Sequence, residues 1–269
     1  DLSDYPAIER HLCQFREQLE PRPRDWNVST RGKWPGRKPG PYPWYELQDA
    51  VDYHELFVKP KIITQDLATY PWFCLDESRS YPVNTCYVWP TDDLYVLGWM
   101  NSPLAWWLMH RSLQHAIGDT LRMFREQVEV LPVAEPSGAI RTRVEEAVAE
   151  LLAITDRRRA GSEDLVHWLV DIFGVRKPGP RLQDAASLRE DQFVKGVASR
   201  CGSRRQLVPG DVGCLIAAYN ETVAPLRADR IRSQELERLV SDSICEVQGL
   251  TLEEVELMWK TAPGRMPDR

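Results

Sequence analysis

The chain has 269 residues, a formal net charge of −6 and an apolar fraction of 43%. That is enough for one large domain or two smaller ones with a buried core. The acid excess excludes a wholly basic, histone-like nucleic-acid binder. It leaves room for a local basic patch, because screening makes near charges count for more than the sum.

Taken in order, Tyr5–Leu19 places Ile8, Leu12, Phe15 and Leu19 on one helical face, and Pro21 and Pro23 end that helix. A proline-rich basic loop follows. Short β-branched and aromatic runs at 56–63, 72–76 and 85–89 predict strands. Asp92-Asp93 is a helix start before the apolar run 94–107, and Pro103 predicts a break near Asn101-Ser102, with a second helix running on toward Gln114. Residues 122–133 predict a short helix or turn entering a strand that Pro132 stops.

From Ile140 the pattern turns helical. One amphipathic helix is expected over 140–159, with Val144, Val148, Leu151 and Leu152 inward, and another over 162–173, with Leu165, Trp168, Leu169 and Ile172 inward. Residues 174–182 predict a linker, followed by helices near 187–199, 209–223, 231–248 and 251–260. The expected fold class is therefore α+β: a small mixed-sheet domain over 1–139 and a mainly helical region over 140–269.

The six cysteines, Cys13, Cys74, Cys86, Cys201, Cys214 and Cys245, form no CxxC pair. Scattered thiols in a chain this size predict reduced cysteine and a cytoplasmic setting rather than a disulfide framework. The most apolar run, 94–109, is short for a membrane span and contains Asn101, Ser102 and Pro103, so no membrane partner is expected. A start at Asp1 without methionine suggests a fragment of a longer protein.

Catalytic patterns are missing from the sequence. A common Mg²⁺-dependent nuclease site needs an acidic residue two positions before a lysine. Arg31, Gly36, Phe57, Lys59, Val175, Phe193 and Met258 occupy those positions, and none is acidic. There is no GxG, GKS or GKT for a nucleotide, and no Pro-Pro for a methyl-transfer loop on an exocyclic amine. His110 and His115 are five apart, which misses the i, i+4 spacing of helical metal ligands. No nucleophile-elbow motif is present. No catalytic residue, metal or cofactor is therefore assigned to this chain.

What remains is the stretch Arg31–Tyr45, RGKWPGRKPGPYPWY. Arg22, Arg24, Arg31, Lys33, Arg37 and Lys38 lie close together with only Asp25 against them, and Trp26, Trp34, Tyr42, Trp44 and Tyr45 are interleaved. Cations attract phosphates, rings stack on bases or sugars, and prolines reduce the entropy lost on docking. The same composition also suits an acidic protein partner, or a linker whose rings fold back.

Seven segments then occur in a telling order: HLCQFREQLEPR (11–22), PWYEL (43–47), FVKPKIITQDLA (57–68), FCLDE (73–77), NTCYVW (84–89), DLYVLGWMNSPLAWWL (93–108) and LRMFREQVEVLPV (121–133). This series resembles the C-terminal target-recognition domain of TaqI-like and type IIG restriction–modification enzymes, the adenine-specific DNA methyltransferases often fused to a nuclease. The closing GLTLEEVELMWKTAPGRMP (249–267) is similar to the tail of the larger members.

The resemblance implies a module that binds double-stranded DNA beside an N-terminal methyltransferase domain of the same polypeptide. S-adenosylmethionine, with Mg²⁺ where a nuclease is fused, would belong to the parent rather than to this chain. It also implies that KPKI (59–62) lies at the DNA cleft, with Lys59 and Lys61 as phosphate contacts. Arg122 and Arg125 could grip the backbone, or instead pair with Glu126 or Glu129. The expected DNA-binding set is Arg31, Lys33, Trp34, Arg37, Lys38, Tyr42, Trp44, Lys59, Lys61, Arg122 and Arg125. The rival expectations are a protein-interaction scaffold in a phage-defence complex and a hydrolase with an unfamiliar site.

Overall fold

The computed structural model describes residues 2–49, 52–175, 177–201 and 207–267. The chain divides into two compact units, Asp1–Lys59 and Pro60–Arg269.

The first unit has short helices Pro6–Cys13 (α1), Arg16–Leu19 (α2) and Val28–Arg31 (α3), and no buried residue lies in any of them. The single helix expected over 5–19 is interrupted at Gln14-Phe15, and Ile8 and Phe15 stay exposed. Asn27 caps α3 by accepting the Ser29 N–H. Of the strand expected over 56–63, residues 56–58 lie instead in a 3₁₀ turn, Asp52–Val58, and only 61–63 are in a strand. Pro60 offers no N–H, and the ladder begins after it.

The second unit opens with Lys61–Gln65 (β1), Leu67–Ala68 (β2), Cys74–Asp76 (β3) and Cys86–Trp89 (β4). The helices Leu94–Met100 (α4) and Pro103–Ser112 (α5) follow. β1 is the middle strand of an antiparallel sheet ordered β3-β1-β4. A second small antiparallel sheet joins β2 to Leu121–Arg122 (β5). The α4 cap is Asp93, accepting from Val96 N at 3.1 Å. The break falls at Asn101-Ser102, where Ser102 caps α5 and Pro103 takes its first turn, the position that tolerates a missing N–H.

After β5 comes a one-turn helix, Arg125–Val128 (α6). The strand expected beyond it does not form. Val128 and Leu131 are both buried, three apart, which is a helical rather than an alternating period.

The helix Gly138–Phe173 (α7) is one rod of 36 residues where two helices were expected. Nothing in TDRRRAGSED (155–164) breaks it, since Gly costs a helix only about 1 kcal/mol. Its two halves also sit in different cores. Val144, Val148 and Ile154 pack with Ile62, Trp99, Trp106, Val240 and Ile244, so that core takes side chains from both sides of residue 140. Leu165, Leu169 and Phe173 pack instead with Leu182, Phe193, Leu215 and Val223.

Gly179–Gln183 (α8), within the expected linker, and Glu190–Ala198 (α9) close this second core. Pro209–Ala218 (α10) continues through a wide π turn, Tyr219–Val223, into Ala224–Val247 (α11). Pro225 has no N–H to give the preceding turn, and a π turn accommodates that defect. Three ion pairs clip α7 to α11 along their lengths: Arg143–Glu246 at 2.6 Å, Glu150–Arg232 at 2.8 Å and Arg157–Asp229 at 2.8 Å. Leu252–Lys260 (α12) ends the fold, with Thr251 and Glu254 capping each other's backbone. The architecture is α+β, with small antiparallel sheets followed by a mainly helical region.

Candidate nucleic-acid interface

The proline-rich loop is a fixed structure built around one guanidinium. Arg37 Nε donates to the Leu19 carbonyl at 2.6 Å, Nη1 to Glu46 O at 2.7 Å, and Nη2 to Trp44 O at 2.8 Å and Pro43 O at 3.2 Å. Its backbone N–H meets Glu20 O, and its carbonyl accepts the Arg22 N–H, each at 3.0 Å. Five donors in a rigid fork suit arginine to this task. Proline-rich backbone leaves carbonyls without ladder partners, and Arg37 takes four of them. A Cβ on Gly36 would stand 2.2 Å from Glu20 O and 2.7 Å from Trp34 Nε1, so only glycine lets the two segments approach.

The rings are fastened as well. Trp34 Nε1 donates to Glu20 O and Trp26 Nε1 to Gly32 O, both at 2.9 Å, and the two indoles meet edge to face at 4.7 Å. Tyr42 lies under the Arg37 guanidinium at 4.7 Å, and its hydroxyl donates to Lys38 O. Trp44 lies under Arg16 at 4.8 Å and Trp26 under Arg31 at 5.4 Å.

Of the expected contact residues in this unit, Arg37, Trp34, Tyr42 and Trp44 therefore build the loop. Lys38 is exposed and pairs with Asp49 at 3.0 Å, and that contact holds the Asp49 carboxyl below its ordinary range. Arg31, Lys33 and Lys59 are exposed, and among the described residues the Lys33 and Lys59 ammonium groups have no hydrogen-bond or ion-pair partner.

The remaining candidates lie in the second unit, each with an acid. Arg122 holds Asp66 with Nε at 3.1 Å and Nη2 at 2.9 Å, and its guanidinium lies 4.7 Å over Phe124. Arg125 pairs with Glu129, not Glu126. Lys61 differs most from expectation. It is 0% exposed and donates to Asp76, which is 9% exposed. An ammonium enclosed in this way has no surface to offer a phosphate; its place is in an interior ion pair.

Asp76 also organises a segment that sequence reasoning missed. Its carboxylate accepts from Ser78 N at 3.0 Å and Oγ at 2.6 Å, and from Ser80 N at 3.2 Å and Oγ at 2.6 Å. Burial pushes this carboxyl up, but hydrogen bonds from Lys61, Ser78 and Ser80 outweigh that and hold it far below the usual carboxylate range. Between the two serines, Arg79 has a left-handed backbone, with φ of 60°, and its side chain is exposed. The Asp-x-Ser-x-Ser spacing of DESRS was the available signal, since short polar side chains two apart favour local turns.

The other strongly held carboxylates have plain causes. Asp93 is pushed up by burial but held low by Arg141, at 2.9 Å, and by its cap hydrogen bonds. Glu150 is held low by Arg232. Among the described residues, no three His, Cys, Asp or Glu side chains gather to hold a metal ion, and no helix is long and apolar enough to cross a membrane.

A family model described as a domain of unknown function (DUF8810) matches residues 137–244, from the cap of α7 into the last turn of α11. No curated protein and no solved structure matches the chain.

Proposed function

We propose that this chain is a DNA-sequence recognition module of a restriction–modification adenine methyltransferase. It binds duplex DNA and positions the target adenine for a catalytic domain that lies outside these residues. Methyl transfer and its S-adenosylmethionine belong to that domain, and no residue here is assigned to them.

The observation that carries the reading is a coincidence of order and packing. The segments at 57–68, 73–77, 84–89, 93–108 and 121–133 resemble the target-recognition domain in sequence. Their sheet strands and α4–α5 also share a core, through Ile62, Phe73, Trp89, Trp99, Trp106 and Leu121. The first unit adds Lys33 and Lys59, cations without a partner among the described residues, and Lys33 stands in the loop that Arg37 fastens, which lowers the entropy lost on docking there. Proteins of this kind gain affinity from phosphate neutralisation and selectivity from base edges.

The test is titration of labelled duplexes with the full chain, alone and with its methyltransferase half, over a range of salt. Selective binding that weakens steeply as salt rises is expected. Indifference to duplex DNA under both conditions overturns the reading. Capture of a defined protein partner without nucleic acid would put the scaffold reading in its place.

A further inference from the structure

We propose that Arg79 is a base-reading residue of this module, presented to a guanine edge in the major groove by the buried Lys61–Asp76 pair. The inference rests on the duplex-binding reading above and adds to it the residue that selects sequence and the device that holds it.

The segment 77–85 crosses between β3 and β4, strands that flank β1 without touching each other. A connection of this length would ordinarily be loose. Here its first turn is fixed from beneath, because one carboxylate takes four hydrogen bonds from Ser78 and Ser80 and a fifth from Lys61. Both serine hydroxyls are engaged by those bonds, and Arg79 between them is exposed.

Its φ of 60° is a backbone state that residues with a Cβ adopt rarely and at a cost. Such outliers persist only where the surroundings impose them, and they concentrate at functional sites. A turn needing only shape would be served by glycine or asparagine at that position. Among the described residues the Arg79 guanidinium makes no hydrogen bond, ion pair or ring contact, whereas Arg122, Arg125 and Arg141 are each held by an acid.

Immobilisation separates base reading from phosphate contact. A phosphate can be met by a mobile cation from many directions, since the attraction is largely undirected. Guanine O6 and N7 must be met together, in plane, by two N–H groups. A stiff backbone under an unpaired guanidinium meets that geometric demand. Lys61 and Asp76 are then positioning residues that act through the turn and need not touch DNA.

The test is selection from a random duplex pool by the full chain and its variants, followed by affinities for the selected duplex and for versions changed at single base pairs. Arg79→Gly removes the side chain and accepts the positive φ, so the fold is retained. It should abolish preference at one G·C pair, a loss of about ten-fold or more in discrimination there. Arg79→Lys keeps the charge but not the fork, and should lose the same preference while the salt dependence stays as in the parent. Ser78→Ala with Ser80→Ala frees the turn and should weaken that preference with Arg79 still present.

Wild-type preference in Arg79→Gly, or in Arg79→Lys, overturns the assignment and leaves the module reading standing. A wild-type chain that binds no duplex overturns both.

Discussion

Lys61 on β1 and Asp76 on β3 stand directly opposite each other in the ladder, and the ammonium of one donates to the carboxylate of the other with both withdrawn from water. A buried pair is weak evidence of net stabilisation, because desolvation offsets much of the attraction. Removing one partner is different, since it strands a charge. Asp76→Ala should lower unfolding free energy by about 3–5 kcal/mol, whereas Lys61→Met with Asp76→Leu should recover much of that loss. Urea denaturation of the two variants checks this, and equal losses would show that the stranded charge is not the cause.

The same pair sets a pH dependence. The Asp76 carboxyl is held far below the ordinary range in the folded state. Its contribution is therefore complete above the unfolded value, near 4, and is lost progressively as pH falls below that toward the folded value. The double variant should show a flatter stability curve between about pH 5 and 2 than the parent. Parallel acid limbs would show that Asp76 is not the titrating group.

The first unit offers a sharper test, because its helices bury no residue and its loop depends on polar fastening. Arg37→Ala removes the guanidinium donor from the Leu19, Glu46, Pro43 and Trp44 carbonyls, of which Pro43 keeps the Glu46 N–H. Hydrogen bonds from a charged donor contribute about 1.5–3 kcal/mol each net of exchange with water, so the loop should open locally. Arg37→Lys should not restore it, having no planar fork. Limited proteolysis should cut both variants between residues 32 and 46 while residues 60–267 stay intact, and a resistant loop would refute the staple.

At the crossing of α4 and α7, space is the constraint. A Cβ on Gly98 would lie 2.9 Å from Val148 Cγ2 and 3.3 Å from Val144 Cγ1. Alanine favours a helix over glycine by about 1 kcal/mol, but overpacking a close core costs about 1–3 kcal/mol. Gly98→Ala should therefore lower the melting temperature, and adding Val148→Ala, which removes the clashing methyl, should couple favourably with it. Simple additivity of the two changes would mean that the helices shift apart freely.

Local chemistry was the legible part of this chain. Asp93 and Ser102 announce their helices because a short oxygen before an apolar run has one good use, and Pro103 fixes the break between them. The length of α7 was hidden because Gly161 and the charged residues around it read as a boundary. Only the two cores gripping either half show why the helix continues. At the candidate site, sequence supplies charge but not pairing. Lys59 and Lys61 look alike in KPKI, yet Lys61, the first residue of β1, is enclosed against an acid fifteen positions later, while Lys59 stops short of the strand. Arg79 carries no sequence signal of its own; what marks it is a backbone angle.

If the chain binds duplex DNA as proposed, that difference in pairing predicts which cations contact it. Lys33 and Lys59 have no protein partner to give up among the described residues, so a phosphate can neutralise them without breaking an existing bond. Arg122 and Arg125 would first have to release Asp66 and Glu129. Lys33→Ala and Lys59→Ala should each weaken all duplexes alike and reduce the slope of log affinity against log salt by about 0.9, the value for one lost phosphate contact. Arg125→Ala, whose exposed helix pair is worth well under 1 kcal/mol, should leave both fold and slope unchanged. Fluorescence anisotropy at several salt concentrations separates the two groups, and a reversed ranking, with Arg125 dominant, would mean that these ion pairs exchange for phosphates on binding.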